Sequence, residues 1–311
     1  MTAAFDSVDH VILLERLRCT FGISDLALAW FSTYLCGRTQ SVRLRDEQSD
    51  FQAVPHGVPQ GSVLGPLLFI LYTAELSDIA AKHHINVHFY ADDTQLYLTC
   101  RRDDTAACTS RLAACITEIG DWMASNRLLL NHQKTDLLWC SRGGSLAASE
   151  LVLDGSPVQP SSHVRDLGVQ LDDDLSLKKH VDQLTGRCYS QLRRIRSCRR
   201  AMTRESAKTV VNSLVVSKVD YCNSLLAACT QQQTDKVQRV LNCAARVILG
   251  GSKYDHVTPL IRDDLHWLRV PERITFKLCL LVYKALHGLA PVYIKSMCVP
   301  VSSSTARSSL R

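Results

Sequence analysis

The sequence predicts an α+β fold followed by a mainly helical region, and three observations carry that expectation. Helix signals alternate with hairpin signals up to residue 174, strand signals fade from about Leu175, and apolar residues make up 46% of the 311-residue chain. With 21% charged residues, a chain of this length can bury a core and is expected to form two domains.

The elements follow in order. Asp9 is placed to start a first helix, and Ser24 to cap a second in which Leu26, Trp30 and Tyr34 recur at i, i+4, i+8. "RTQSVRL" and "DFQAVP" read as the two arms of a hairpin. "GPLLFILYTAEL" reads as a helix with Pro66 in its first turn. "HFYADDTQLY", His88 to Tyr97, reads as a second hairpin with Asp92 and Asp93 at its tip. Leu112, Cys115, Ile119 and Trp122 mark an amphipathic helix, "TDLLWC" a strand and "GGSLAAS" a flexible loop. The tail "SSSTARSSLR" has the composition of a disordered segment, and there is no internal repeat.

Composition narrows the function classes. No window approaches the roughly 18 uninterrupted apolar residues of a membrane span, and Met1 is followed by neither a charged nor an apolar leader segment. The expectation is an intracellular protein, nuclear or cytoplasmic, neither secreted nor in a membrane. The 13 cysteines contain no CxxC pair, so they read as small apolar residues in a reducing compartment, not as a zinc site or a disulfide framework.

Charge is unevenly spread. The chain carries +6 in total, yet Leu175 to Gly250 holds 14 Lys and Arg against 4 Asp and Glu, a local +10 that leaves −4 elsewhere. Within it, "GRCYSQLRRIRSCRR" carries six arginines, Arg187, Arg193, Arg194, Arg196, Arg199 and Arg200, and no acid. That density suits a surface following a phosphate backbone, and equally a solvated helix face.

Asp92 and Asp93 pose the sharper question. Two adjacent carboxylates commonly do no more than supply turn chemistry. Here the flanks are good strand formers, and a tight turn lets both side chains reach one ion or two. Holding two like charges in a sheet is costly unless a cation neutralises them, and Mg²⁺ is the natural candidate. "GVPQGSVLGPLLF", Gly57 to Phe69, adds a turn with three glycines and two prolines opening an apolar helix, where backbone can approach a ligand closely.

Together these stretches resemble the reverse transcriptases of non-LTR, LINE-type retrotransposons, within them the jockey-like branch. "AAFDSVDHVILLERL" is similar to the end of polymerase motif A, "GVPQGSVLGPLLF" to motif B and "YADD" to motif C. "LNHQKT" is similar to motif D, "VRDLGVQLD" to the primer grip of motif E, and "KVDYCNSLL" and "KYDHVTPLIRDDLHWL" to the region that follows.

The resemblance implies a right-hand polymerase: an antiparallel palm over residues 1–174, a basic helical thumb over 175–250, a helical C-terminal region over 251–300 and a tail over 301–311. Asp92 and Asp93 would hold two Mg²⁺ ions, Lys134 would assist the leaving pyrophosphate, and Gln60 and Gly61 would lie beside template and incoming nucleotide. Phe5 would exclude a ribose 2′-hydroxyl, or serve as a core aromatic. The six arginines would track the backbone of an RNA template and DNA primer, with dNTPs as substrate.

The family's motif A metal ligand precedes its aromatic by five residues, and counting back from Phe5 passes Met1. Asp6 matches a second family aspartate taken as structural, and Asp9 and Asp172 to Asp174 read as caps or turn residues. Fingers and an endonuclease domain would precede motif A in such elements. The expectation is therefore a polymerase fragment inactive by itself, with a non-catalytic nucleic-acid-binding remnant or co-opted protein as the alternative.

Overall fold

The computed structural model of the chain describes residues 4–141, 151–153, 155–252 and 254–299; the loop over 143–149 and the tail over 301–311 lie outside them. The chain divides into two compact units, Met1–Trp139 with Ser145–Ser161, and Cys140–Gly144 with Ser162–Arg311. Its described strands form small two-stranded antiparallel ladders among helices, an α+β arrangement.

In the first unit, α1 (His10–Cys19) starts where expected: the Asp9 carboxylate accepts from the backbone N–H groups of Val11 and Ile12 at 2.9 and 3.0 Å. Ser24 does precede α2 (Asp25–Leu35), but its hydroxyl donates to Asp25 Oδ2 at 2.8 Å instead of capping the helix. Of the Leu26–Trp30–Tyr34 stripe, Leu26 and Trp30 are exposed, 88% and 53%, whereas Tyr34 packs against the core. Helix α2 is apolar on more than one side, and the unit's core takes Leu28, Phe31 and Leu35. Trp30 stacks on Tyr34 at 5.4 Å.

The first hairpin forms with exposed arms, β1 (Thr39–Gln40) on β4 (Gln52–Ala53) and β2 (Arg43–Leu44) on β3 (Glu47–Gln48). Next come α3 (Leu64–Tyr72) and α4 (Leu76–Lys82). By length and composition alone, Leu64–Lys82 is apolar enough to cross a membrane, although Thr73, Glu75, Ser77 and Asp78 interrupt its apolar run. Here the stretch bends between the two helices, and Leu68, Phe69, Tyr72, Leu76 and Ala80 are buried in the core.

The second hairpin pairs β5 (Asn86–Tyr90) with β6 (Asp93–Tyr97). Helix α5 (Thr105–Ser125) buries Cys115 and Ile119 on the predicted face. "TDLLWC" is not a strand: only Leu137 makes a bridge, to Pro160, and its side chain joins Leu151 and Leu153 in a small separate cluster. The ladder β7 (Leu151–Leu153) with β8 (Ser156–Val158) packs against α5 there.

A polar knot ties the helix ends. Arg16, its side chain 7% exposed, pairs with Glu75 at 3.0 Å, donates to Asn126 Oδ1 at 3.0 Å and to the Tyr72 carbonyl, and lies 5.1 Å over the Trp122 ring. Trp122 donates to Glu75 at 2.8 Å and the Tyr72 hydroxyl to the Asn126 carbonyl at 2.7 Å. A buried guanidinium is tolerable because its donors are matched.

The second unit opens with β9 (His163–Asp166) on β10 (Val169–Asp172), joined by Leu167 and Gly168, both at positive φ. Helices α6 (Lys178–Cys198), α7 (Arg204–Val211), α8 (Ser217–Asp220), α9 (Gln231–Leu249), α10 (Val257–Pro259), α11 (Val270–Leu286) and α12 (Val292–Met297) follow. Val181, Cys188, Leu192 and Ile195 of α6 meet Val237, Leu241, Ala244 and Ile248 of α9, and the same core continues through Ile261, Val270 and Ile274. A capping box, Thr230 with Gln233, starts α9, and Gly250 at φ 75° ends it.

Candidate functional site

In the β5–β6 hairpin Tyr90 faces Asp93 across the ladder, so Ala91 and Asp92 are the two turn residues. Val87, Phe89 and Leu96 pack onto the core, which turns His88, Tyr90 and Asp93 outward. Ala91 takes the left-handed conformation, φ 54°, which a residue with a Cβ adopts at a cost of about 1–2 kcal/mol. Asp92 is half-buried and Asp93 exposed.

Among the described residues neither carboxylate has a hydrogen bond or an ion pair. An aspartate that merely shapes a turn accepts a backbone N–H two residues on, and Asp174, which takes Ser176 N at 2.9 Å, is an example in this chain. Asp92 and Asp93 make no such bond, so their acceptor capacity is not spent on the protein among the described residues. Asp174, Asp172, which accepts from the Ser176 hydroxyl at 3.0 Å, and Asp9 are engaged as local caps.

The glycine-rich turn is fixed against the chain's first residues. Gly57 N donates to Val8 O at 2.7 Å and Val58 N to Phe5 O at 2.8 Å. The Gly57 carbonyl accepts from His10 Nε2 at 2.8 Å and from Arg38 at 2.9 Å. A Cβ on Gly57 would lie 2.9 Å from Asp6 Cα, and one on Gly65 2.7 Å from the Pro59 carbonyl. Those two glycines are therefore required by the chain's own backbone. Gly61, at φ 77° with open space around it, and Gln60 are exposed at the apex.

Phe5 is half-buried and stacks on Phe69 at 4.9 Å. It shares one core with Phe89 and Leu96 of the aspartate hairpin, so the chain's first residues, the helix after the glycine-rich turn and the aspartate hairpin are built on a common base. Lys134 is exposed in a short turn, His132–Lys134, and no ion pair joins it to either aspartate among the described residues. No group of three or more His, Cys, Asp or Glu assembles among the described residues.

In the second unit Arg187, Arg193, Arg194, Arg196 and Arg200 are exposed, and no hydrogen bond or salt bridge engages their guanidinium groups among the described residues. Arg193, Arg196 and Arg200 recur at i, i+3, i+7 and Arg187 and Arg194 at i, i+7, away from the buried Cys188, Leu192 and Ile195. Arg199 differs. Its guanidinium donates to the carbonyls of Val247, Ile248 and Met202 at 2.9, 2.7 and 2.7 Å, closing the C-terminal end of α9. It does not present its charge to solvent as the other five do.

Sequence reasoning missed His10, Arg38 and Arg16. Each acts on a partner far along the chain, His10 on Gly57 47 residues away and Arg16 on Glu75 59 residues away, and no local pattern announces such pairs.

Residues 1–171 match the family described as reverse transcriptase (RNA-dependent DNA polymerase). The chain belongs to the reverse transcriptase family. Among the chain's relatives, "Probable RNA-directed DNA polymerase from transposon BS" of Drosophila melanogaster is 29% identical over 276 residues, covering 86% of this chain and 30% of the relative. "Probable RNA-directed DNA polymerase from transposon X-element" of the same organism is 25% identical, covering 84% and 29%. "RNA-directed DNA polymerase from mobile element jockey" of Drosophila funebris is 23% identical, covering 87% and 30%. These likenesses place the chain as a reverse transcriptase domain of the non-LTR, LINE type. The chain spans about 30% of the length of the curated relatives it matches.

Proposed function

We propose that this chain is the palm and thumb part of an RNA-directed DNA polymerase, with the β5–β6 hairpin as its metal-binding element. The observation that carries this reading is that Asp92, on the strained two-residue turn, and Asp93, the first residue of β6, spend no acceptor on the protein among the described residues. Two outward carboxylates suit Mg²⁺, which binds through one or two carboxylates and otherwise keeps water or substrate phosphate. When bound, Mg²⁺ supplies the charge that activates the primer 3′-hydroxyl and offsets the developing negative charge on the phosphates.

The remaining roles belong to the chain. Asp92 and Asp93 fix where the cation sits. Gln60 and Gly61, exposed on a turn made rigid by the Gly57 and Gly65 contacts, present backbone to the template and the incoming dNTP. Phe5, held against Phe69, is a steric wall against a ribose 2′-hydroxyl. Lys134, exposed and unpaired among the described residues, is available to the leaving pyrophosphate. Arg187, Arg193, Arg194, Arg196 and Arg200 contact the phosphates of primer and template without reading sequence, whereas Arg199 supports the helix beneath them.

A second reading, nucleic-acid binding without synthesis, is favoured by one observation: two carboxylates come together and no third joins them among the described residues. Primer extension on an RNA template with Mg²⁺ decides between the two. Extension that disappears in Asp92→Asn supports the polymerase reading, and equal extension by the variant sinks it. Salt-sensitive binding of primer–template with no extension leaves the second reading standing.

A further inference from the structure

Helix α11 has two apolar faces, and the fold covers one of them. Val270 and Ile274 join the core of the second unit, and Ala285 is buried on the same side. On the opposite side Phe276, Cys279, Tyr283 and Leu286 recur at i, i+3, i+7, i+10, the spacing of a coiled-coil seam. All four are exposed, Phe276 at 60%, Tyr283 at 57% and Leu286 at 56%. A single apolar residue on a surface needs no partner, but a seam of four along one helix marks a contact surface. Lys277 and Lys284 run beside it, each one residue past an aromatic of the seam, exposed and without an ion pair among the described residues. Arg273, by contrast, pairs with Asp220 at 2.8 Å. Glu272, at the N-terminal end of the seam, accepts from Arg269 N at 2.7 Å as part of the helix cap. From Arg273 to Val299 the chain carries four basic residues and no acidic one.

We propose that this face of α11 docks an acidic amphipathic helix of a protein partner, its apolar residues packed on the Phe276–Leu286 seam and its carboxylates set against Lys277 and Lys284. A heptad-spaced seam takes another helix, whose side chains interdigitate with it. Charge then decides among the occupants. In a second copy, an antiparallel two-fold pairing sets each flank against the same flank of its mate, so lysine meets lysine. The residues that follow, "VSSSTARSSLR", add two arginines and no acid, so that segment repeats the charge of the flank and does not match it. The seam is narrow and its lysines lie on one flank only, which suits a single helix better than an anionic bilayer. A helix with carboxylates beside its apolar stripe meets both requirements. The contact lies in the second unit and stands whether or not the chain synthesises DNA.

The test uses the full chain under reducing conditions and two fluorescein-labelled synthetic peptides of three heptads each. Both peptides carry the same leucine seam; one has glutamate and the other lysine at every flanking position, so that like charge keeps each from pairing with itself. Fluorescence anisotropy at low salt should show the glutamate peptide binding about tenfold more tightly than the lysine peptide, and added salt should narrow the difference. Tyr283→Ser with Leu286→Ser should abolish binding of the glutamate peptide and leave the circular dichroism spectrum unchanged, since both side chains are exposed. Leu286→Ser alone replaces this seam variant if it is unfolded. Lys277→Glu with Lys284→Glu should reverse the preference toward the lysine peptide, which a loss of fold cannot do.

The exposed arginines of α6 supply the control. An acidic peptide attracted to them alone binds the seam variant as well as the parent, and that result overturns the proposal. So does failure of both peptides to bind, equal binding of the two, or a preference that survives Lys277→Glu with Lys284→Glu. Sedimentation that shows a dimer of the parent, lost in the seam variant, overturns it by making a second copy the occupant. Vesicles of phosphatidylcholine and phosphatidylserine that bind the parent and not the seam variant, while the glutamate peptide binds neither, overturn it in favour of an anionic membrane surface.

Discussion

Gly57 and Gly61 carry the same positive φ, 85° and 77°, in one turn, but a methyl group added to each meets different surroundings. At Gly61 nothing lies within 4 Å, so Gly61→Ala should cost about 1–2 kcal/mol, the left-handed penalty alone. At Gly57 the new Cβ would sit 2.9 Å from Asp6 Cα, adding an overpacking cost of roughly 1–3 kcal/mol to the same penalty. Urea denaturation should therefore separate the two variants, and equal midpoints would refute the packing explanation. At Ala91 the strain is already present, so Ala91→Gly should leave the midpoint unchanged or raise it. Ala91→Val, β-branched at positive φ, should lower stability by about 1–2 kcal/mol. The glycine-rich stretch was legible as a place where backbone comes close to something. For Gly57 and Gly65 that something is the protein's own backbone, a long-range fact that no run of neighbouring residues contains.

Helix termini show how local chemistry becomes pH dependence and stability. Burial raises the Asp9 carboxyl, but the Ile12 N–H, the Arg127 guanidinium at 3.1 Å and the Val11 N–H together outweigh it and leave the group below its ordinary range. A carboxyl depressed in the folded state stabilises above its unfolded pKa, and that contribution is lost as pH falls through the folded value. Asp9→Asn should thus retain a cap but flatten the acid limb of the stability curve, and Asp9→Ala should cost about 1 kcal/mol at neutral pH. In the second unit Arg199→Ala should destabilise by roughly 1.5–3 kcal/mol, since it removes charge-assisted hydrogen bonds to two carbonyls at the end of α9 and to that of Met202. Thermal melts of both variants check these values. The sequence located α1, α5 and both hairpins because their periodicity and turns are local. It did not settle which side of α2 is buried, because Leu28, Phe31 and Leu35 compete with Leu26, Trp30 and Tyr34, and only packing leaves Leu26 and Trp30 exposed. "TDLLWC" failed as a strand because a short apolar run does not by itself supply a ladder partner.

For the whole molecule, charge distribution is the property most directly tied to function. The match to the reverse transcriptase family spans residues 1–171, whereas the basic excess lies in the segment from Leu175 to Gly250. That excess was visible as composition, but composition cannot separate arginines that hold a helix end from arginines that face solvent. Arg199 shares its spacing and chemistry with its neighbours and still spends its guanidinium on Val247, Ile248 and Met202. The distinction yields a prediction with a built-in control. Each phosphate contact removed should lower the slope of log affinity against log salt by about 0.9 for duplex nucleic acid. Replacing Arg193, Arg194 and Arg200 together by alanine should therefore reduce the slope for primer–template by roughly 2–3 and leave the melting temperature near that of the parent. Arg199→Ala should do the reverse, lowering the melting temperature while keeping the slope. Fluorescence anisotropy across a salt series measures both. If the triple variant keeps the parental slope, the exposed arginines of α6 and of the turn that follows it form a solvated surface and not a phosphate track, and the nucleic-acid contacts must be sought elsewhere in the chain.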